Sequence, residues 1–350
     1  ISEDRVSNDI LNFIKNAKTY NLKPERILKK LESGNWSRKQ RTFGKLAVEV
    51  YRGYQEKLRE LQKIDFEDMI NNAIGELDKD EKLCKNIFDH ILIDEYQDIT
   101  QQTHRLVKQL LNHNSNCKLF CVGDDWQSIM GFAGSNVEFF VNFEKYFEKP
   151  AITHISTNYR SVATIVDAGA RLISNNQNCQ IAKRTVSKNK SGKAIKILRS
   201  PHKISYRRNY HRQITADCIS RVADYLKRGY ANSDILILSR FMHVYAHQAP
   251  RLHYIIENIL EEAKDKGIRI SPNARSTRGV RLLTVHKAKG LEAKVVFILN
   301  AIRDTYGFPC EIEDSSILEP ARENYPHQEQ REEERRLFYV AMARAMEDLY

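Results

Sequence analysis

The stretch Ile91-Leu92-Ile93-Asp94-Glu95-Tyr96-Gln97-Asp98 decides the fold, because an apolar run passes directly into closely spaced polar residues. A short Ile/Leu run between polar flanks suits a parallel strand covered on both faces, and in open α/β sheets ligands sit outside the carboxyl ends of such strands. Asp94 and Glu95 fall at that edge. Neighbouring carboxylates serve two jobs in nucleotide hydrolysis: one holds Mg²⁺ through water, and the other orients or deprotonates the attacking water. Taken alone, the same letters also describe a strand followed by a solvated acidic turn, so the rest of the chain has to choose.

The pattern recurs. Lys118-Leu119-Phe120-Cys121-Val122 reads as a second buried strand, and it runs into Gly123-Asp124-Asp125-Trp126-Gln127-Ser128-Ile129. Upstream, residues 1 to 63 carry helical spacing, with a stop at Ser33-Gly34-Asn35, and Asp65 is placed to cap a helix running towards Leu77. A helix is expected over Thr103–Leu111 and another around Asn136–Tyr146. Farther on, Thr153–Ser156 leads into Asn158-Tyr159-Arg160-Ser161 and a helix over Ala163–Ile173. Strands are expected at Ala194–Leu198, Asp234–Ser239, Val280–His286 and Lys294–Leu299, with helices at Tyr210–Leu226, Pro250–Lys266 and Glu332–Ala345. The acidic, Pro-containing run Tyr306–Gln330 reads as a surface excursion. Such alternation implies an α/β protein with two doubly wound parallel-sheet units behind a helical N-terminal region. The expected organisation is a helical subdomain at 1–63, a first α/β unit at 64–150 and a second at 151–350.

Composition narrows the partners. Of the formal net charge of +11, the acid-free run from Ala168 to Ala216 supplies +12, leaving −1 for the remainder. Tyr206, Tyr210, His202 and His211 are interleaved with its lysines and arginines, the composition of a surface that neutralises phosphates and stacks bases; a solvated basic loop has the same letters. No apolar run approaches the ~20 residues that span a bilayer, and no signal peptide is visible. Cys84, Cys117, Cys121, Cys179, Cys218 and Cys310 form no CxxC, so neither a zinc site nor a disulfide framework is indicated and a cytoplasmic setting is expected.

Five ordered stretches now acquire a common meaning. Asp94–Asp98, Gly123–Ile129, Asn158–Ser161, Thr284-Val285-His286-Lys287-Ala288-Lys289-Gly290-Leu291-Glu292 and Glu334–Ala345 resemble motifs II to VI of the UvrD/Rep-like superfamily 1 DNA helicases. Tyr306–Pro309 and Ile312–Pro320 look most like the helicase IV branch. The resemblance implies RecA-like units that use ATP and Mg²⁺ and act on single-stranded DNA or duplex–single-strand junctions, with 3′-to-5′ polarity.

Carried over residue by residue, the resemblance makes Asp94 the Mg²⁺ ligand through water and Glu95 the catalytic base, with Gln127 sensing the γ-phosphate. Arg160 and Arg344 would neutralise charge on the transferring phosphoryl, where a rigid guanidinium fork suits an oxyanion cluster better than Lys does. Tyr159 would stack on adenine, Glu292 would accept from the ribose, and Gly290 would be a further nucleotide-binding position. Thr284 and His286 would couple the site to DNA, and Phe132 would stack on a base. Since acids and arginines come from different units, the nucleotide is expected between them.

Departures from the family pattern are Trp126 where Asp is usual, Met130 where Tyr is usual, Ala133 where Arg is usual, and Thr103 where Gln is common. About 120 residues separate Ser161 from Thr284, too few for a large accessory domain, so a reduced basic insertion around 183–212 is expected instead. No GxxxxGK(S/T) phosphate loop occurs, which makes the first unit incomplete and the chain the C-terminal part of a longer helicase, inactive by itself. A nucleic-acid-binding module without ATPase activity and a relative that remodels RNA polymerase are the alternatives.

Overall fold

Local capping chemistry explains where the first helices begin and end. In a computed structural model, which describes residues 3–189, 195–199, 209–242, 249–312, 316–322 and 330–350, helix α1 spans Glu3–Thr19, α2 Pro24–Ser33 and α3 Arg38–Glu60. Ser37 and Gln40 form a reciprocal capping box at the start of α3. Asp65 caps α4 (Phe66–Lys79) as expected, its Oδ1 accepting from the Asp68 N–H at 2.8 Å. One more break than expected falls at Tyr20–Lys23, where Asn21 turns left-handed with φ 52°.

Strand β1 (His90–Ile93), α5 (Gln101–His113), β2 (Lys118–Cys121), α6 (Glu138–Val141) and α7 (Phe143–Tyr146) follow. The helix expected around Asn136–Tyr146 is broken at Asn142. β1 and β2 pair in parallel, Ile93 opposite Cys121. Their inward residues Ile93, Leu119 and Cys121 pack with Tyr96, Val107 and Phe139. The expectation of a strand covered on both faces fails here: Leu92 is 72% and Phe120 62% exposed. Strand residues alternate sides, and among the described residues helices cover one side only of this two-stranded sheet.

Lys18 is a buried charge of this unit. Its Nζ, at the end of α1, bonds the carboxylates of Asp65 and Asp68, the latter at 2.8 Å, and lies 4.9 Å from the Tyr54 ring centroid. Tyr54 Oη also donates to Asp65 at 3.0 Å. Three helices and the α4 cap are thus fastened at one point.

A further expectation is overturned at Tyr306–Gln330. Residues 316–322 belong to the first unit, where Ile317, Leu318 and Ala321 are buried among the apolar faces of α1, α2 and α3. Gln40 Nε2 donates to Ser316 O and to Glu319 Oε2, both at 2.9 Å. The apolar pair inside an acidic stretch fills a gap in a helical core rather than crossing solvent.

The second unit comprises the described residues from Pro150 to Ile312 and from Gln330 to Tyr350. Strand β3 (Thr157–Val162) contains the Asn-Tyr-Arg-Ser motif instead of preceding it, and pairs in parallel with β4 (Val186–Asn189), a strand the sequence did not announce. Helices α8 (Ala163–Ile173) and α9 (Asn209–Lys227), strand β5 (Ile235–Ser239) and helix α10 (Pro250–Asp265) follow. Next come β6 (Ile270–Ser271), β7 (Val280–Thr284), β8 (Ala293–Ile298), helix α11 (Gln330–Met342) and β9 (Ala345–Leu349). The five-stranded sheet is wholly parallel in the order β6-β7-β5-β8-β9. Central β5 is buried at every position, as a strand covered on both faces requires. Ile235 and Ile237 pack with Ile219 and Val222 of α9 and Ile259 of α10.

The strand expected at Ala194–Leu198 is absent from its described residues, although Lys196 N–H donates to Leu349 O at 3.0 Å. Lys190, Lys193, Lys203, Arg207 and Arg208 of the basic run lie outside the described residues, as do His202 and Tyr206. No described helix is long and apolar enough to cross a membrane.

Candidate active site

Parallel register sets the carboxyl ends of β1 and β2 side by side, and Asp94, Glu95 and Gln127 follow those ends. Past Ile93 the backbone turns at once. Glu95 takes a left-handed conformation (φ 51°, ψ 39°), rare for a residue of its kind and of the sort that clusters at functional sites. Asp94 Oδ1 accepts from the Glu95 N–H at 2.8 Å and secures the turn. A 3₁₀ turn, Tyr96–Asp98, then faces Gln97 inward.

Gln97 joins the two strand ends. Its Nε2 donates to Glu95 Oε2 at 2.5 Å, and its Oε1 accepts from the Asp124 N–H at 2.9 Å. Asp124 Oδ2 in turn accepts from Gln127 Nε2 at 2.8 Å. A continuous hydrogen-bonded run therefore connects Glu95 with Gln127. Trp126, in the position where a carboxylate is usual, is buried. Phe132 stands on a 3₁₀ turn of its own, Gly131–Ala133, and is 62% exposed. Gly134 closes that turn with φ 91°, and a Cβ there would press on Thr19 Cγ2 at 3.0 Å.

In the second unit, Asn158 Oδ1 accepts from the N–H groups of Arg160 and Ser161, at 3.0 and 2.9 Å, and shapes the motif from within. Ser161 Oγ donates to Ala345 O at 2.6 Å, and Asn189 Nδ2 donates to Tyr159 O at 3.0 Å. Tyr159 is 66% exposed, with Lys188 Nζ 5.0 Å from its ring centroid. Arg160 Nε and Glu292 Oε2 form an ion pair at 2.7 Å, so two of the expected nucleotide contacts hold one another.

The loop between β7 and β8 is anchored from behind by buried arginines. Arg344 donates from Nη1 to Leu291 O and from Nε to Val340 O, both at 3.0 Å. Arg281 donates from Nη2 to Ser233 O at 2.6 Å and to Glu292 O at 3.1 Å, and burial lowers its pKa. Gly290 turns this loop with φ 79°. Thr284 ends β7 and its Oγ1 accepts from the Lys287 N–H at 3.3 Å, while His286 opens the 3₁₀ turn that follows.

Within the second unit, then, Arg160, Gly290, Glu292 and Arg344 come to one loop; within the first, Asp94, Glu95 and Gln127 come to one sheet edge. Gln97, Arg281 and Asn189 carry contacts that their letters alone did not assign. Arg281 carried a signal, a lone guanidinium inside the apolar run Val280–Leu283, and Gln97 stood in the opening stretch itself.

Residues 1–148 match the UvrD/REP helicase N-terminal domain, and residues 246–350 match the UvrD-like helicase C-terminal domain. DNA helicase IV of Escherichia coli (strain K12) is 29% identical over 307 residues, 86% of this chain and 39% of that protein. The ATP-dependent DNA helicase PcrA of Leuconostoc citreum is 31% identical over 194 residues, 55% of this chain and 24% of that protein. PcrA of Staphylococcus aureus (strain Mu50 / ATCC 700699) is 34% identical over 134 residues, 37% of this chain and 18% of that protein. The chain thus spans less than half the length of these relatives. With the N- and C-terminal domain models of one family matched in order, and with motif residues held at parallel strand ends, the chain belongs to the UvrD/Rep-like helicases.

Proposed function

We propose that the chain supplies both halves of the hydrolytic machinery of an ATP-dependent DNA helicase that translocates on single-stranded DNA. The observation that carries this reading is the edge where Asp94, Glu95 and Gln127 follow adjacent parallel strands, with Glu95 and Gln127 joined through Gln97 and Asp124. Glu95 takes a proton from the attacking water, and Gln127 orients towards the γ-phosphate. Arg160 offers its guanidinium to the transferring phosphoryl, exchanging its partly exposed partner Glu292, and surface pairs of this kind are cheap to break. Glu292 is then available to a ribose hydroxyl and Tyr159 to the adenine ring. Arg344 contributes charge near Leu291 while fixing the loop.

Mg²⁺ fits Asp94. That ion keeps several waters and takes one or two carboxylates plus substrate phosphates, and no described cluster of three or more His, Cys, Asp or Glu offers it a cage. When bound it neutralises phosphate charge. Phe132 stacks on a base, and Thr284 and His286 lie on the strand end that links nucleotide to DNA; 3′-to-5′ polarity rests on the resemblance alone. Cytoplasmic action fits cysteines that form no disulfide among the described residues.

The test is ATP turnover with and without single-stranded DNA, measured in the polypeptide extended to include a GxxxxGK(S/T) loop, which these 350 residues do not contain. Glu95→Gln should lower DNA-stimulated turnover by roughly 100-fold or more and leave DNA binding intact. Activity within a few-fold of the parent overturns the reading. The 350-residue chain alone should show negligible turnover.

A further inference from the structure

We propose that Gln97 is a positioning residue for ATP hydrolysis: it holds the Glu95 carboxylate and ties it to the Gly123–Gln127 turn, so that base and γ-phosphate sensor move together. This rests on the reading of Glu95 as the base. A primary amide presents one acceptor and one donor end, and which end faces which way follows from its partners. Here the partner is decisive, because the Asp124 N–H can only donate, and it meets Oε1 at 2.9 Å. Nε2 is therefore turned to Glu95 Oε2, at 2.5 Å. The reversed amide would set N–H against N–H and carbonyl against carboxylate.

Burial makes that orientation stiff. Gln97 is wholly buried, and its backbone is held as well, with Ser128 Oγ donating to Gln97 O at 3.2 Å. The adjacent Tyr96 N–H donates to Val122 O at 2.9 Å. Glu95, by contrast, is exposed on a left-handed backbone, and a long side chain there has rotamers to lose before it can act as a base. The Gln97 amide removes that freedom from a fixed point in the core.

Gly123 supplies an independent observation. A Cβ at this glycine would lie 2.4 Å from Gln97 Oε1 and 3.2 Å from both the Gln97 backbone N and Phe140 Cε2. Its φ is not in the left-handed region, so space for the Gln97 amide, not backbone conformation, is what a side chain at Gly123 would take away. Asp124, the next residue, passes the constraint to Gln127 at 2.8 Å.

Three variants test this in the loop-containing polypeptide, with Glu95→Gln as reference. Gln97→Glu keeps an acceptor for the Asp124 N–H but sets a carboxylate against Glu95; kcat should fall at least about tenfold while KM for ATP stays within about twofold. Gly123→Ala, which alters neither carboxylate, should lower kcat in the same way. In a Gln97→Ala background, Gly123→Ala should lower kcat by less than it does in the parent, because the tightest contact it makes, with the Gln97 amide, is gone and only those with the Gln97 backbone N and Phe140 remain. If Glu95→Gln retains turnover, the ATPase reading fails and the proposal with it. If Glu95→Gln abolishes turnover while Gln97→Glu keeps parental kcat, the functional reading stands and the role of Gln97 is refuted. Parallel loss of nucleotide affinity, Tm and kcat in Gln97→Glu and Gly123→Ala also refutes it, since that is what a merely structural residue produces.

Discussion

Replacing Lys18 by Met should destabilise the first unit by about 3 kcal/mol. The ammonium is 1% exposed and meets two carboxylates that keep 20% and 15% exposure, so its loss leaves two acids crowded and half-desolvated at the α1–α4 junction. Hydrogen bonds to charged groups contribute about 1.5–3 kcal/mol each, and water reaching Asp65 and Asp68 offsets part of that, which brings the sum to about 3 kcal/mol. For a unit of this size the shift in Tm is roughly 6–12 °C. pH adds a signature. Burial raises the Asp65 carboxyl, but the Lys18 hydrogen bond, the Asp68 N–H, the Lys18 charge and Tyr54 together hold it below 3.8. A depressed folded pKa stabilises above the unfolded value and is lost as pH falls through the folded one. The parent and Lys18→Met should therefore differ most near neutrality and converge below about pH 4. Thermal and urea unfolding followed by circular dichroism across that range supply the measurement. A difference under about 0.5 kcal/mol at neutral pH, or one that does not shrink in acid, would refute the reasoning.

His104, stacked on Phe139 at 4.1 Å with Tyr96 Oη 3.3 Å from its Nδ1, is held down by burial and by the Lys108 charge from 6.5 to about 4. The unfolded chain takes its proton first as pH drops, so stability should fall from about pH 6.5 to 4 by some 2–4 kcal/mol at most; His104→Phe should flatten that slope, and an unchanged slope counts against the assignment. Leu92→Thr and Phe120→Thr should each cost under about 0.5 kcal/mol, because both face outward, whereas Ile237→Ala in the buried central strand should cost about 2–5 kcal/mol; comparable losses at all three would mean that the outer face of β1 and β2 is covered. Arg281→Met orphans the carbonyls of Ser233 and Glu292 and should cost about 2 kcal/mol, with faster amide exchange across 287–292; unchanged exchange there would show that Arg344 alone anchors the loop.

Much of the site was legible because strand-end chemistry is local. An apolar run followed by Asp-Glu, and another followed by Gly-Asp-Asp-Trp-Gln, place their polar groups at sheet edges whatever the rest of the chain does. The start of α4 was legible for the same reason: Asp65 satisfies an N–H three residues on. Its cap needs no distant partner.

What tertiary structure decided was the pairing of groups far apart in sequence. Nothing in the run from Tyr306 to Gln330 could say that Ile317 and Leu318 fill a helical core formed far upstream, because an apolar pair in an acidic run fits a loop equally well. Nor could the strand pattern say that Leu92 and Phe120 stay exposed, since coverage depends on neighbours and not on the strand. In the opening stretch, Asp94 and Glu95 were readable as acids at an edge, while the role of Gln97 depends on a backbone N–H 27 residues away and on the absence of a side chain at Gly123. Sequence determined which groups stand at the strand ends; only the register of β1 against β2 decided which of them touch.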